Sequence, residues 1–197
     1  KQRQQREIVI QYVLKFVGVV LLAFLLVRFV CFSFTIQGDS MSPTIERGEK
    51  HLVNRLIYQI KGPSRYDVVI FKSDDKNGNY YVKRVIGLPG EKVQIKDGEV
   101  YIDGDKLKEK YRFPTMENGG LALEEFTLSE GEYFMLCDNR NECEDSRNAN
   151  VGNVMSENIV GKAWIRTNHF TLVNRINGFE QKHADPSASP TASAAAN

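Results

Sequence analysis

Three stretches of this 197-residue sequence contain residue types that could carry out covalent chemistry. Ser40 lies in Gly38-Asp39-Ser40-Met41-Ser42-Pro43-Thr44-Ile45, which reads as a loop between a strand and a turn. A serine hydroxyl attacks a carbonyl well only when a neighbouring base removes its proton. Lys83 lies in Tyr81-Val82-Lys83-Arg84-Val85-Ile86-Gly87-Leu88-Pro89-Gly90, where it interrupts an apolar strand ahead of a Gly-Leu-Pro-Gly turn. Strand alternation puts Tyr81, Lys83 and Val85 on one face and Val82, Arg84 and Ile86 on the other. Between Tyr and Val a lysine is partly desolvated, which disfavours its charged form and frees its lone pair to act as a base. The third stretch, Asp138-Asn139-Arg140 followed by Asp145-Ser146-Arg147, is a polar loop after the apolar segment 133–136. Taken singly, each has a plainer reading: a turn serine, a surface lysine, a solvated loop.

Other chemistries find less support. Cys31, Cys137 and Cys143 form no CxxC pair, and His51, His169 and His183 are scattered, so metal-ligand spacing is absent. No cofactor is called for. Charges balance, with 26 Lys and Arg against 25 Asp and Glu and a formal net of +1, and no basic stripe marks a nucleic-acid surface. Ser73-Asp74-Asp75-Lys76 satisfies S-x-x-K, the pattern of penicillin-interacting serine enzymes, but its S-D-N and K-T-G companions do not occur. A membrane-tethered β-domain that binds a partner and catalyses nothing also fits the composition. It leaves the Ser40 and Lys83 stretches as coincidence.

These residues need elements to position them. Short runs rich in Val, Ile, Tyr and Phe, bounded by Gly, Pro, Asp and Asn, predict strands at 34–36, 51–53, 67–71, 80–86, 92–95, 99–102, 133–136 and 163–166. Asp97-Gly98 predicts a tight hairpin, because a type I′ turn needs two residues that tolerate positive φ, and Asp103-Gly104 predicts a second turn. Many short strands with frequent turns predict an all-β sandwich or barrel-like domain over residues 33–179. The charged, less regular stretch at about 103–130 reads as a lid or inserted subregion. The Ala/Ser/Pro-rich tail, 180–197, lacks periodicity and is expected to be disordered.

Ahead of these strands, residues 8–32 are almost continuously apolar, and a spanning helix needs about 20 such residues. Lys15 and Arg28 lie near its ends, where long side chains reach the interface. A cleaved signal peptide would have a shorter apolar core and a small-residue site, whereas this run passes into Cys-Phe-Ser-Phe. Lys1, Arg3 and Arg6 precede it, so residues 1–7 are expected in the cytoplasm and everything after the anchor outside. Since the sequence opens on Lys rather than Met, residues are expected upstream.

Together and in this order, the three stretches resemble the signature segments of bacterial type I signal peptidases, particularly the short Gram-positive kind. The family's GxSMxPT, YVKRVIGLPG and GDNRxxSxDSR segments match here, and Tyr66-Asp67-Val68-Val69-Ile70-Phe71 resembles its GDIVVF strand. The resemblance runs from about residue 34 to 154. It implies a membrane-bound serine endopeptidase that removes signal peptides from preproteins, with Ser40 as nucleophile and Lys83 as general base. It implies an ion pair of Asp145 and Arg147 near the lysine, further support from Arg84 and Asp138, and the Ser40 N–H as an oxyanion donor. Some members add a hydroxyl two residues before the serine, where this chain has Gly38. The strands containing Phe34 and Ile36 and containing Tyr81 and Val82 would flank an extended substrate, and bulky Ile36 and Val82 would admit only small side chains. That fits cleavage after Ala-x-Ala.

The chain departs from the family's pattern at two cysteines. Cys137 stands where Gly is usual, and Cys143 where a Ser can hydrogen-bond the lysine amine; a thiol would be a weaker partner. The two lie six positions apart in one loop, and they form either a disulfide, which requires Cα atoms closer than about 7 Å, or two small buried thiols. The spacing from Arg147 to Gly152 is also longer than usual, which leaves the loop's exit geometry open.

Overall fold

The computed structural model describes residues 2–73, 79–109, 113–168 and 170–173. The tail 180–197 and most of the S-x-x-K segment lie outside the described residues. The chain is mostly β, with one long N-terminal helix.

Helix α1 (Gln2–Val30) contains a 20-residue span, Gln5–Phe24, with a mean hydropathy of 2.0 and none of it buried against the rest of the protein. Exposed apolar side chains such as Leu14, Phe16 and Leu22 would be costly in water and are suited to lipid. The helix ends two residues before the apolar run does, and Cys31 and Phe32 open strand β1 (Cys31–Thr35).

Each predicted strand is found, and most are a residue or two longer than expected. They are β2 (Lys50–Asn54), β3 (Val68–Lys72), β4 (Tyr80–Gly87), β5 (Lys92–Lys96), β6 (Glu99–Ile102), β9 (Glu132–Leu136) and β11 (Ile159–Arg166). Ile36 sits just past β1, its N–H bonded to Glu49 O at 2.9 Å. Four two-residue strands escaped the sequence pattern: β7 (Asp105–Lys106), β8 (Phe126–Thr127), β10 (Val154–Met155) and β12 (Thr171–Leu172). Two residues are too few to show alternation. A four-residue helix, α2 (Ile57–Ile60), follows β2.

The strands form two antiparallel sheets. The larger runs β1-β2-β11-β3-β4-β9-β10, with β12 beside β11, and curves into a half-barrel. The smaller runs β7-β6-β5-β8. Both predicted turns are present: Asp97 and Gly98 have φ of 51° and 74°, and Asp103 and Gly104 of 52° and 85°. On one face of the large sheet Val53, Val68, Ile70, Val82 and Ala163 pack with Ile36, Met41 and Ile45. Its other face buries Val69, Phe71, Val85 and Met135. A third cluster joins the ends of β4 and β9, through Ile86, Phe134 and Leu136, to Val93, Ile95, Val100 and Ile102 of the small sheet.

The described residues of the stretch 103–130 contribute to the small sheet. They supply both flanking strands, and Met116, Ala122 and Leu128 are buried in that third cluster.

Candidate active site

Strand β4 lies between β3 and β9, and side chains packed on both faces of the sheet bury it from Val82 onward. On one side it pairs with β3 along its length, Lys72↔Tyr80 to Val68↔Arg84. On the other, pairing with β9 begins only at Arg84↔Leu136. Beyond Leu136 the chain turns away into the polar loop, and among the described residues no strand pairs with the Tyr80–Lys83 edge on that side. The sheet's curvature brings β1 round towards this edge, and the Phe34 and Tyr80 rings meet edge to face at 6.3 Å.

Between them lies a groove of about 750 Å³. Ser40 and Lys83 both line it, with Phe34, Ile36, Gly38, Tyr81, Val82 and Cys143. Lys83 is 2% exposed, its Nζ 5.5 Å from the centre of the Tyr81 ring. Burial lowers its pKa from 10.5 to about 8, opposed by the negative charges of Asp145 and Glu144. About a tenth of the amine is therefore neutral at pH 7, against well under a thousandth for an ordinary lysine.

The Ser40 segment is fixed by its own turns and by burial. Ser42 N–H bonds Asp39 O at 3.0 Å, Ile45 N–H bonds Met41 O at 2.9 Å, and Met41 and Ile45 are fully buried. Asn139 N–H reaches Ser40 O at 3.1 Å, which ties this segment directly to the polar loop. An added Cβ at Gly38 would have nothing within 4 Å, so that position is open.

Behind the groove, Arg84 grips Asp138 with two parallel bonds, Nε to Oδ1 at 2.7 Å and Nη2 to Oδ2 at 2.6 Å. Both side chains are at most 1% exposed, so the pair persists only because its remaining bonds are made. Arg84 Nη1 donates to Tyr66 O at 2.9 Å, and the Thr44 hydroxyl donates to Asp138. All three chemistry-bearing stretches thus meet in one buried network.

Asp145 and Arg147 form a second such pair, both bonds 2.8 Å. Asp145 also accepts the N–H groups of Cys137 and Arg147, each at 3.1 Å. Arg147 donates onward to Asn118 O at 3.1 Å and to Arg140 O. The long exit after Arg147 closes on Asn148, whose carbonyl accepts N–H bonds from Val151 at 3.0 Å and Gly152 at 2.9 Å.

Cys137 and Cys143 are joined in a disulfide, with Cα atoms 6.6 Å apart. This decides between the two readings and corrects one expectation. Cys143 borders the groove, but a bridged sulfur has no proton to offer the Lys83 amine, so it is no hydrogen-bond donor at all. The Cys137, Cys143 and Asp145 ligand atoms lie within 4.8 Å of one another, yet sulfurs committed to a disulfide cannot bind a metal as thiolates.

Sequence reasoning gave no role to several residues that shape the site, Arg140 of the third stretch among them. Arg140, 1% exposed, donates to Cys137 O at 2.7 Å and pairs with Glu109 at 2.5 Å, with Phe113 stacked 4.2 Å from its guanidinium. Gly120, at φ 54°, lies so close to the Arg147 backbone that any side chain would collide with it. The Asn118-Gly119-Gly120 run was a legible turn signal. The link from Glu109 to Arg140 had no local signal.

Comparison with known proteins agrees with the motif reading. A family profile described as "Signal peptidase, peptidase S26" matches residues 9–167. The chain is 33% identical to signal peptidase I of Bacillus licheniformis over 82% of its length and 89% of that protein's. With signal peptidase I of Bacillus caldolyticus the identity is 38% over 70% and 80%, and with signal peptidase IB of Staphylococcus aureus strain COL 31% over 80% and 88%. A solved signal peptidase I from Enterococcus faecalis is 35% identical and covers 52% of this chain and 97% of its own, at a TM-score of 0.42. That superposition is too loose to add weight. The chain belongs to the signal peptidases of peptidase family S26, which makes it a serine endopeptidase, and its exposed apolar helix makes it a membrane-anchored one.

Proposed function

We propose that this signal peptidase cuts preproteins with a dyad of Ser40 and Lys83, and cuts them after small residues in A-x-A sequences. The observation that carries the dyad is the pairing of a half-buried serine and a desolvated lysine, pKa about 8, on the walls of one groove. The neutral amine of Lys83 takes the Ser40 proton as the hydroxyl attacks the scissile carbonyl, then returns it to the leaving amine. The Ser40 N–H points to an oxyanion role, a contribution worth roughly 2.7–4 kcal/mol of transition-state stabilisation. Gly38 offers no side-chain donor, so a second donor would be water or another N–H.

An extended peptide fits between the free edge of β1 and the half of β4 that β9 does not pair, by strand addition. Ile36 and Val82 fill the space beneath it, which favours alanine-sized side chains there. Asp145 and Arg147 hold the loop whose negative charges partly offset the lysine's desolvation, and Arg84 and Asp138 brace it from behind. We assign residues 1–7 to the cytoplasm, 8–32 to the anchor and 33–179 to the extracytoplasmic side, with preproteins and lipid as partners. The positive-inside pattern supports that orientation, as does a disulfide, which persists in oxidising compartments.

The test is mass-spectrometric mapping of cuts in a peptide containing A-x-A, by the full chain in detergent. Ser40→Ala and Lys83→Arg should both be inactive, the latter because a guanidinium stays protonated. Near-normal turnover by Lys83→Arg at neutral pH would sink the dyad.

A further inference from the structure

The segment that carries Ser40 ends at Thr44, a residue 3% exposed and held by both its hydroxyl and its carbonyl. Its hydroxyl donates to Asp138, the partner of Arg84 behind the groove. Its carbonyl accepts a bond from Arg166 Nη2 at 2.6 Å. Arg166 is the last residue of β11 and stands in register with His51 of β2. Its Nε lies 3.0 Å from Glu49 Oε2, an ion-pair contact rather than an aligned hydrogen bond. The same oxygen is 3.0 Å from Nε2 of His51, whose ring is fully buried. Burial pushes the His51 pKa down, so the ring stays neutral and the charge of Glu49 is left to Arg166.

The two turn bonds of the segment, Ser42 to Asp39 and Ile45 to Met41, are internal to it. They fix its shape but not its place against β4. Placement comes from the packing of buried Met41 and Ile45 and from polar ties to the rest of the protein. Among the described residues these include Asn139 N–H to Ser40 O, Arg47 to the exposed Asp39 carboxylate, the Thr44 hydroxyl to Asp138 with Arg84 Nη2 3.5 Å from that hydroxyl, and Arg166 to Thr44 O. Asn139 and Asp138 belong to the polar loop, whereas Arg166 comes from the end of β11, on a different element.

We infer that Arg166 is a positioning residue, which sets the Ser40 segment against the groove by holding the Thr44 carbonyl while Glu49 holds the guanidinium. The inference rests on Ser40 being the nucleophile. A guanidinium can do both at once, because its N–H groups point in fixed, diverging directions. A lysine ammonium at the same place would keep the charge opposite Glu49 but could not reach both acceptors with the same geometry. Displacing the segment moves the hydroxyl relative to the Lys83 amine and the bound carbonyl, which affects turnover more than peptide binding along β1 and β4.

The test is steady-state cleavage of an A-x-A peptide by the full chain in detergent, comparing wild type, Arg166→Lys, Arg166→Met and Ser40→Ala. Thermal unfolding confirms that each variant is fully folded at the assay temperature. Arg166→Lys should lower kcat about tenfold, the weight of one hydrogen bond to a charged group, with KM changed less than twofold. Arg166→Met should lower kcat at least as far, and the pH at which activity rises should stay that of wild type, since the lysine's surroundings are untouched. Unchanged kcat in folded Arg166→Lys and Arg166→Met, with Ser40→Ala inactive, would overturn the inference and leave the dyad standing. So would a rise in KM that matches the fall in kcat. Activity in Ser40→Ala would overturn the dyad itself.

Discussion

Burying a lysine so that it can act as a base has a measurable effect on folding. Replacing Lys83 by Met removes the titrating group and keeps an unbranched chain of similar length. The pKa of Lys83 falls from 10.5 unfolded to about 8 folded, with burial as the main cause. At about 1.4 kcal/mol per unit, wild type carries a penalty of about 3 kcal/mol at pH 7 that Lys83→Met does not. The folded-state pKa is the lower of the two, so between about 8 and 10.5 the unfolded chain binds more protons, and wild-type stability rises with pH there. The penalty is full below about pH 8 and nearly gone by 10.5. Urea unfolding of both proteins in detergent from pH 7 to 10.5 measures the difference. Packing changes caused by Met add a constant, so the change across this range is diagnostic. Wild type should gain about 3 kcal/mol on the variant over that interval. A difference that stays flat with pH would refute the desolvated lysine, and with it the basis for its role as base.

The same pKa predicts that wild-type activity rises about tenfold between pH 7 and pH 9, as the neutral amine goes from a minor to the dominant form; a profile flat across pH 8 would exclude Lys83 as the base. Glu144→Gln removes an exposed negative charge that favours the ammonium, so the rise should move to lower pH, read from the same profiles. Asp138→Asn strips one charge from a buried pair and should cost about 3–5 kcal/mol in urea unfolding, since Arg84 is left without its counter-ion. Replacing Cys137 and Cys143 together by Ser should cost about 2 kcal/mol, the chain-entropy value for so short a loop, and thiol titration of the denatured, unreduced wild type should find only Cys31. Gly87→Ala should destabilise by about 1–3 kcal/mol, because its Cβ would fall 2.7 Å from Leu128 and 2.8 Å from Val93.

Much of the architecture was legible because it follows from local rules. The apolar run of α1, the eight longer strands and the Asp-Gly turns each depend on neighbouring residues: continuous apolarity, β-branched alternation, tolerance of positive φ. The stretches around Ser40, Lys83 and Asp138–Arg147 could be singled out for the same reason, as local departures from their surroundings. Two cysteines six apart made a bridge geometrically open, and the loop's folding closed it.

Everything that turns those stretches into a site is non-local. Residues 40, 83 and 138 are brought together because the large sheet curves and β9 leaves β4 at Arg84, and no short window of sequence encodes a sheet's curvature. Pattern alone left Lys83 on a two-faced strand; only its enclosure by Tyr81 and the polar loop makes it 2% exposed and moves its pKa. The two-residue strands β7, β8, β10 and β12 exist because a neighbour offers an edge, not because their residues prefer extension. Arg166 and Thr44, 122 residues apart, look unremarkable in sequence. Their contact depends on where β11 ends beside β2, and desolvation and long-range hydrogen bonds acquire their strength only once that packing has excluded water.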